Sequence, residues 1–155
     1  PADMMSKSKW KSFWKLPIPH GVRNCWWRLL IRKLPTRLAL RYTNTETSGN
    51  TLCQFCENNI EDEGHMVFYC KRKQSFWYAA RYKLGLNIPV TQIWPSLIFS
   101  EKTDPETLTS LGLILLVVWQ MHWQCTRDNQ RWDTTNALQR LRRTMWLNEH
   151  KDVKE

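Results

Sequence analysis

The sequence predicts a mainly α-helical protein: a small zinc-stabilised helical domain built on a CCHC zinc loop, followed by a C-terminal helical hairpin. Three observations predict it. Cys53, Cys56, His65 and Cys70 stand at the spacing C-x2-C-x8-H-x4-C, which supplies the four N and S ligands of a closed structural zinc site. Apolar residues recur at helical intervals around 21–33, 71–84, 105–127 and 134–149, each run with a stripe wide enough to bury. Hydrophobic residues make up 42 % of the 155, ten of them tryptophan, so the chain has the material of a packed core and is not a disordered basic tail.

Residues 1–15 interleave Lys7, Lys9, Lys11 and Lys15 with Trp10, Phe13 and Trp14 and run into Pro17-Ile18-Pro19. Two prolines favour extended backbone, so an extended basic and aromatic arm or short edge strand is expected, with Trp14 packed beside the Pro-Ile-Pro segment. From Gly21 to Lys33, Val22, Cys25, Trp26, Leu29 and Leu30 form a core stripe. Trp27 and Ile31 lie opposite them, which predicts neighbours on both faces. A second helix is expected from about Pro35 to Tyr42, Leu38 inward and Arg37 and Arg41 outward, and then a polar loop over 43–51.

The zinc loop follows. Its four ligands fill a tetrahedral site with protein atoms, leaving no position for an activated water. The H-x-E motif of zinc deaminases is absent and the C-x2-C precedes the histidine, so one structural Zn2+ and no enzymatic activity are expected. A disulfide is the alternative for these cysteines, but it has no use for a histidine. Cys25 and Cys125 fall in apolar helical stretches and read as buried inert thiols.

After the loop, Lys71 to Leu84 reads as a helix with Phe76, Trp77, Ala80 and Leu84 inward and Gly85 as its C-terminal cap. Lys71, Arg72 and Lys73 crowd its first turn, where cations oppose the helix dipole unless an anion lies nearby. A connector spans 87–103. Asp104-Pro105 then opens a long helix to about Arg127, and Asp133 or Thr134 caps a last one to about Glu149. The latter carries Leu138, Leu141, Met145 and Trp146 inward, and the two pair as a hairpin over 104–150. His122 has no partner at ligand spacing and is expected to pack or hydrogen-bond.

The net charge of +9 is unevenly placed. Residues 1–48 carry +8, residues 49–70 carry −4 and residues 71–93 carry +5. An acidic metal loop between two basic blocks favours a polyanionic partner, nucleic acid first. The candidate contacts are Lys9, Lys11, Arg28, Arg32, Lys33, Arg37, Arg41, Lys71, Arg72 and Lys73. Folding back at the metal should bring the two blocks together and point the acidic loop away. The first ten residues show no apolar leader segment and the longest apolar run is Leu113–Trp119. No membrane association and a nuclear or cytoplasmic, non-secreted setting are therefore expected.

Several short motifs occur in a fixed order: Trp14-Lys15-Leu16-Pro17-Ile18-Pro19, Trp26-Trp27-Arg28-Leu29-Leu30, Leu34-Pro35-Thr36-Arg37, Leu52-Cys53-x2-Cys56, Glu63-x-His65-Met66-x3-Cys70 and Phe76-Trp77. Together, over about residues 10–84, they resemble the zinc-binding domain at the C-terminal side of LINE-type (non-LTR retrotransposon) reverse transcriptases. The resemblance implies a reverse-transcriptase-associated zinc domain at 16–86, which helps a polymerase hold its RNA template or target DNA. It also implies Cys53, Cys56, His65 and Cys70 as ligands. No paired catalytic aspartates of a polymerase palm are present. The leading reading is a nucleic-acid-binding module favouring RNA or single-stranded DNA, since basic grooves with aromatic platforms hold single strands. The alternative is a protein-interaction module that docks on the reverse-transcriptase core or a host protein through its tryptophan-rich helices.

Overall fold

The computed structural model describes residues 5–41 and 50–151, and these are mainly helical. The extended pairing among the described residues is a single antiparallel bridge, Leu52 to Ile60. The mainly α expectation therefore holds. The elements are α1 (Lys7–Lys15), α2 (His20–Leu30), α3 (Arg37–Leu40), a π-helical turn (His65–Tyr69), α4 (Lys71–Lys83), α5 (Ile93–Leu97), α6 (Pro105–Asp128) and α7 (Thr134–Glu149).

The N-terminal segment differs from its expectation. Residues 7–15 are helix, not an extended arm: Ser6 accepts from Lys9 N–H as N-cap, and the prolines act only from residue 17 onward. Phe13 is wholly buried, its ring edge-on to Trp26 at 5.5 Å and to Phe99 at 6.1 Å. Arg23 reaches back from α2 and donates to the carbonyls of Phe13 and Leu16 at 3.1 and 2.7 Å, adding a second donor to groups that already accept from Leu16 N–H and Ile18 N–H. Trp14, expected to pack, is exposed, because Phe13 takes the inward position of that turn.

In α2 the stripe Val22, Cys25, Trp26, Leu29 and Leu30 is buried as expected. Trp27 on the other side is exposed, so α2 has a core on one face only. Thr36 caps α3 by accepting from Ala39 N–H, but the expected helix from 35 to 42 is a single turn, and residues 42–49 lie outside the described residues. Gly85 ends α4 at φ +63, the left-handed geometry that a C-terminal glycine cap requires.

The connector 87–103 is not a mere linker. It contains α5, whose Ile93 and Leu97 are fully buried, and the Leu97 carbonyl accepts from the Trp26 indole at 2.8 Å. Asp104 caps α6 through Thr107 N–H at 2.9 Å, Asn129 closes it in the left-handed region at φ 51, and Asp133 caps α7 through Asn136 N–H at 3.2 Å.

Helix α6 organises the core. It packs on α2, α5 and α7, while α4 packs on α7, so the C-terminal hairpin shares one hydrophobic cluster with the zinc-bearing half. By length and composition α6 is apolar enough to cross a membrane, yet 61 % of that apolar window is buried against the rest of the chain. Such burial is what a central core helix needs. On α7 Ala137 and Leu141 are buried, and Leu138 and Met145 pack against the core as expected. Trp146, expected inward, is exposed and stacks on His150 at 4.2 Å.

Candidate metal centre

The two halves of the ligand set are built differently. Cys53 and Cys56 sit in a tight knuckle: Cys53 N–H donates to Asn59 O at 2.8 Å, Glu57 N–H to Cys53 O at 2.9 Å and Glu61 N–H to Thr51 O at 2.8 Å. The Cys53 sulfur accepts from Phe55 N–H at 3.4 Å. His65 and Cys70 stand five residues apart, about 140° around an α-helix, which would aim them in different directions. The π-helical turn between them widens the coil and returns both to one side; such turns are commonly found at functional sites. Asp62 fixes the start of this turn by accepting from His65 N–H at 2.8 Å.

The four ligand atoms lie within 4.8 Å of one another. Cys53 Sγ and Cys70 Sγ are 3.9 Å apart, and Cys56 Sγ and His65 Nε2 are 3.3 Å apart. Tetrahedral Zn–S and Zn–N bonds of ordinary length would separate two sulfurs by about 3.8 Å and a sulfur from a nitrogen by about 3.6 Å. The donor set therefore fits one structural Zn2+. None of the five cysteines is paired in a disulfide in this structure. An ion held by Cys53, Cys56, His65 and Cys70 would cross-link knuckle and turn.

The hydrogen bond between Cys53 and Cys70 sets the metal-free protonation. It holds Cys70 down to about 7 and Cys53 up to about 12, so the pair keeps one proton that zinc must displace. Cys70 is also the N-cap residue of α4, where the Lys73 and Arg72 amides lower its pKa further. Of the first-turn cations of α4, Lys73 has the Cys70 sulfur at the helix N-terminus as an electrostatic partner. Cys25, by contrast, is pushed up to about 12 by burial, as suits an inert core thiol.

The candidate nucleic-acid contacts separate into groups. Lys11, Arg28, Lys33, Arg41, Lys71 and Arg72 are exposed and Lys9 is half-buried. Arg32 is exposed but pairs with Glu63 at 2.8 Å. Arg37 is half-buried and braces the knuckle, donating to Leu52 O at 3.1 Å and Gln54 Oε1 at 3.2 Å. Lys73 is a correction: it is completely buried, because it occupies the inner stripe of α4 with Phe76, Trp77 and Ala80, and no phosphate can reach it. Within the acidic loop, Glu63 pairs with Arg32, and buried Glu61 accepts from the Arg37 backbone N–H at 3.0 Å.

Lys73 and His122 answer one another. Lys73 Nζ lies 2.8 Å from His122 Nδ1 and donates to Met66 O. Burial, with the Lys73 charge second, holds the His122 imidazole down to about 2, so it stays neutral with Nδ1 as acceptor. The expectation of a hydrogen-bonding histidine holds. An unfolded chain would protonate this residue near 6.5 while the folded one would not, so its contribution is intact above about 6.5 and is lost as pH falls. His122→Gln retains an acceptor for Lys73 without the titration. Between pH 7 and 5 the wild type should lose about 2 kcal/mol more than this variant in denaturant unfolding; parallel stability curves would refute the assignment.

Fold and site together define a class: a helical domain pinned by a closed Cys3His zinc centre. Residues 2–77, which include all four ligands, match the family model described as zinc-binding in reverse transcriptase. That segment is therefore similar to a reverse-transcriptase-associated zinc domain. No curated protein and no solved structure matches the chain.

Sequence reasoning missed Tyr78 and Tyr82. Both are exposed on α4, Tyr82 at 83 % and Tyr78 at 43 %. A signal existed: they are four residues apart, opposite the Phe76, Trp77 and Ala80 stripe.

Proposed function

We propose that this protein is a non-enzymatic, zinc-stabilised nucleic-acid-binding module of a LINE-type reverse transcriptase, acting on RNA or single-stranded DNA in the nucleus or cytoplasm. The observation that carries the reading is the outer face of α4. Lys71, Ser75, Tyr78 and Tyr82, at i, i+4, i+7 and i+11, form one exposed stripe, flanked by exposed Arg72 and Lys83. The helix contains no acidic residue. Cations neutralise phosphates without regard to sequence, and aromatic rings one turn apart offer successive stacking surfaces for unpaired bases. The zinc fixes where this helix starts, because Cys70 is both ligand and N-cap.

The test is a binding titration on single-stranded RNA, single-stranded DNA and duplex at two salt concentrations. Tyr78→Ala with Tyr82→Ala should weaken single-strand binding by about 1–3 kcal/mol per lost stack. Lys71→Glu with Arg72→Glu should weaken binding to every sequence and flatten the log-log salt slope by about one unit or more. Reversal of Arg142 and Arg143 on α7 should do less. A second reading rests on Trp14 and Trp146, which are 52 % and 54 % exposed, since exposed tryptophans suit a protein interface. Salt-independent binding to the polymerase core, with no oligonucleotide binding, would favour it.

A further inference from the structure

Lys73 is fully buried, and the charges that act on it are those of buried Glu61 first and then of the thiols Cys53, Cys70 and Cys125. Each arm of the metal site contributes to its surroundings. The Phe55 ring, between the knuckle cysteines, lies 5.0 Å from Nζ. Met66, next to the ligand His65, offers its carbonyl. Lys73 itself follows Cys70 by three residues. The remaining partners come from the C-terminal hairpin: His122 Nδ1 on α6 at 2.8 Å, and the Trp132 ring before α7 at 5.6 Å. All of these groups are acceptors or π faces, the surroundings that an ammonium with three donors requires. Among the described residues no ion pair forms at Lys73.

A zinc ion with three thiolates and one neutral imidazole has a net charge of about −1, which an apolar interior tolerates only when it is compensated. We propose that Lys73 is the counter-charge of the metal centre and the joint through which zinc holds the C-terminal hairpin. Metal occupancy and the seating of α6 and α7 then form one cooperative unit, although His122 and Trp132 lie outside the family match at 2–77. Groups surrounding metal ligands in this way typically change metal affinity by about 10–100-fold when altered.

Two experiments on the full chain test this. In the first, zinc affinity is measured by competition with a chromophoric chelator for wild type, Lys73→Met and Lys73→Arg, with folding checked by circular dichroism. Lys73→Met should bind zinc at least about tenfold more weakly, and Lys73→Arg should recover part of that loss. Wild-type affinity in a folded Lys73→Met chain would overturn the proposal, and so would equal losses in both variants, which would make the role one of packing. The second needs no variant. Wild-type protein is acylated with acetic anhydride, with zinc bound and after chelation, and lysine modification is mapped by mass spectrometry. Lys73 should be protected in the zinc form and become reactive on metal removal, together with faster amide exchange in α7. Equal protection of Lys73 in both states would refute the coupling even if both substitutions prevented folding.

Discussion

Cys70→Ser is expected to abolish stoichiometric zinc binding and to unfold the segment from the knuckle through the first turns of α4. Structural zinc contributes on the order of 10–16 kcal/mol in small zinc domains, as much as the whole stability of many domains, about 5–15 kcal/mol. Cys70 is the worst ligand to lose because it has three roles. It would ligate the metal, in the metal-free chain it accepts from Cys53 at 3.9 Å, and in both states it stands at the N-cap of α4. Purified variant should hold less than about 0.2 equivalents of zinc and show reduced helicity. Cys25→Ser and Cys125→Ser, at cysteines outside the cluster, should retain one zinc. Full occupancy in Cys70→Ser, or equal zinc loss in the two control variants, would refute the ligand assignment.

Trp26→Ala should be the most damaging substitution away from the metal, at about 3–5 kcal/mol. The Trp26 ring is fully buried, packs edge-on against Phe13 at 5.5 Å and donates to Leu97 O at 2.8 Å, so one truncation loosens α1, α2 and α5 together. The same contact can be tested from α6. A Cβ on Gly112 would come within 2.8 Å of Trp26 Cζ3 and 2.9 Å of Val22 Cγ1. Gly112→Ala should therefore cost about 1–3 kcal/mol, despite the gain in helix propensity of up to about 1 kcal/mol. Gly21→Ala is the matched control. Its Cβ would meet Leu116 Cδ1 at an ordinary 3.7 Å, so it should be neutral or slightly stabilising. Thermal unfolding that ranks Gly21→Ala with Gly112→Ala would contradict the close approach of α2 and α6.

The parts legible in the sequence were those fixed by local chemistry. The C-x2-C-x8-H-x4-C spacing located the metal ligands, Asp104-Pro105 and Asp133 located two helix starts, and Gly85 located the end of α4. What escaped depended on partners far along the chain. Helix α1 is held by Phe13 against Phe99, a contact across 86 positions that no local pattern reveals, while the lysines and nearby prolines suggested an extended arm. Lys73 was misplaced for a different reason. Its charge read as surface, although it keeps helical step with Phe76, Trp77 and Ala80, and only the partners Met66, His122 and Trp132 show why a cation belongs there. The π-helical turn was likewise implicit in the five-residue step from His65 to Cys70.

The seating of Gly112 against Trp26 has a consequence for how the chain can be divided. A piece ending at residue 77 would carry every metal ligand and the whole family match. It would also strip Val22, Trp26 and Phe13 of the cover that α5 and α6 provide, and cut α4 in its middle. Such a piece would expose its apolar interior to water and aggregate, zinc-loaded or not. The boundary drawn by sequence similarity and the boundary of solubility are therefore different lines, and the second lies beyond the long helix that the first leaves out.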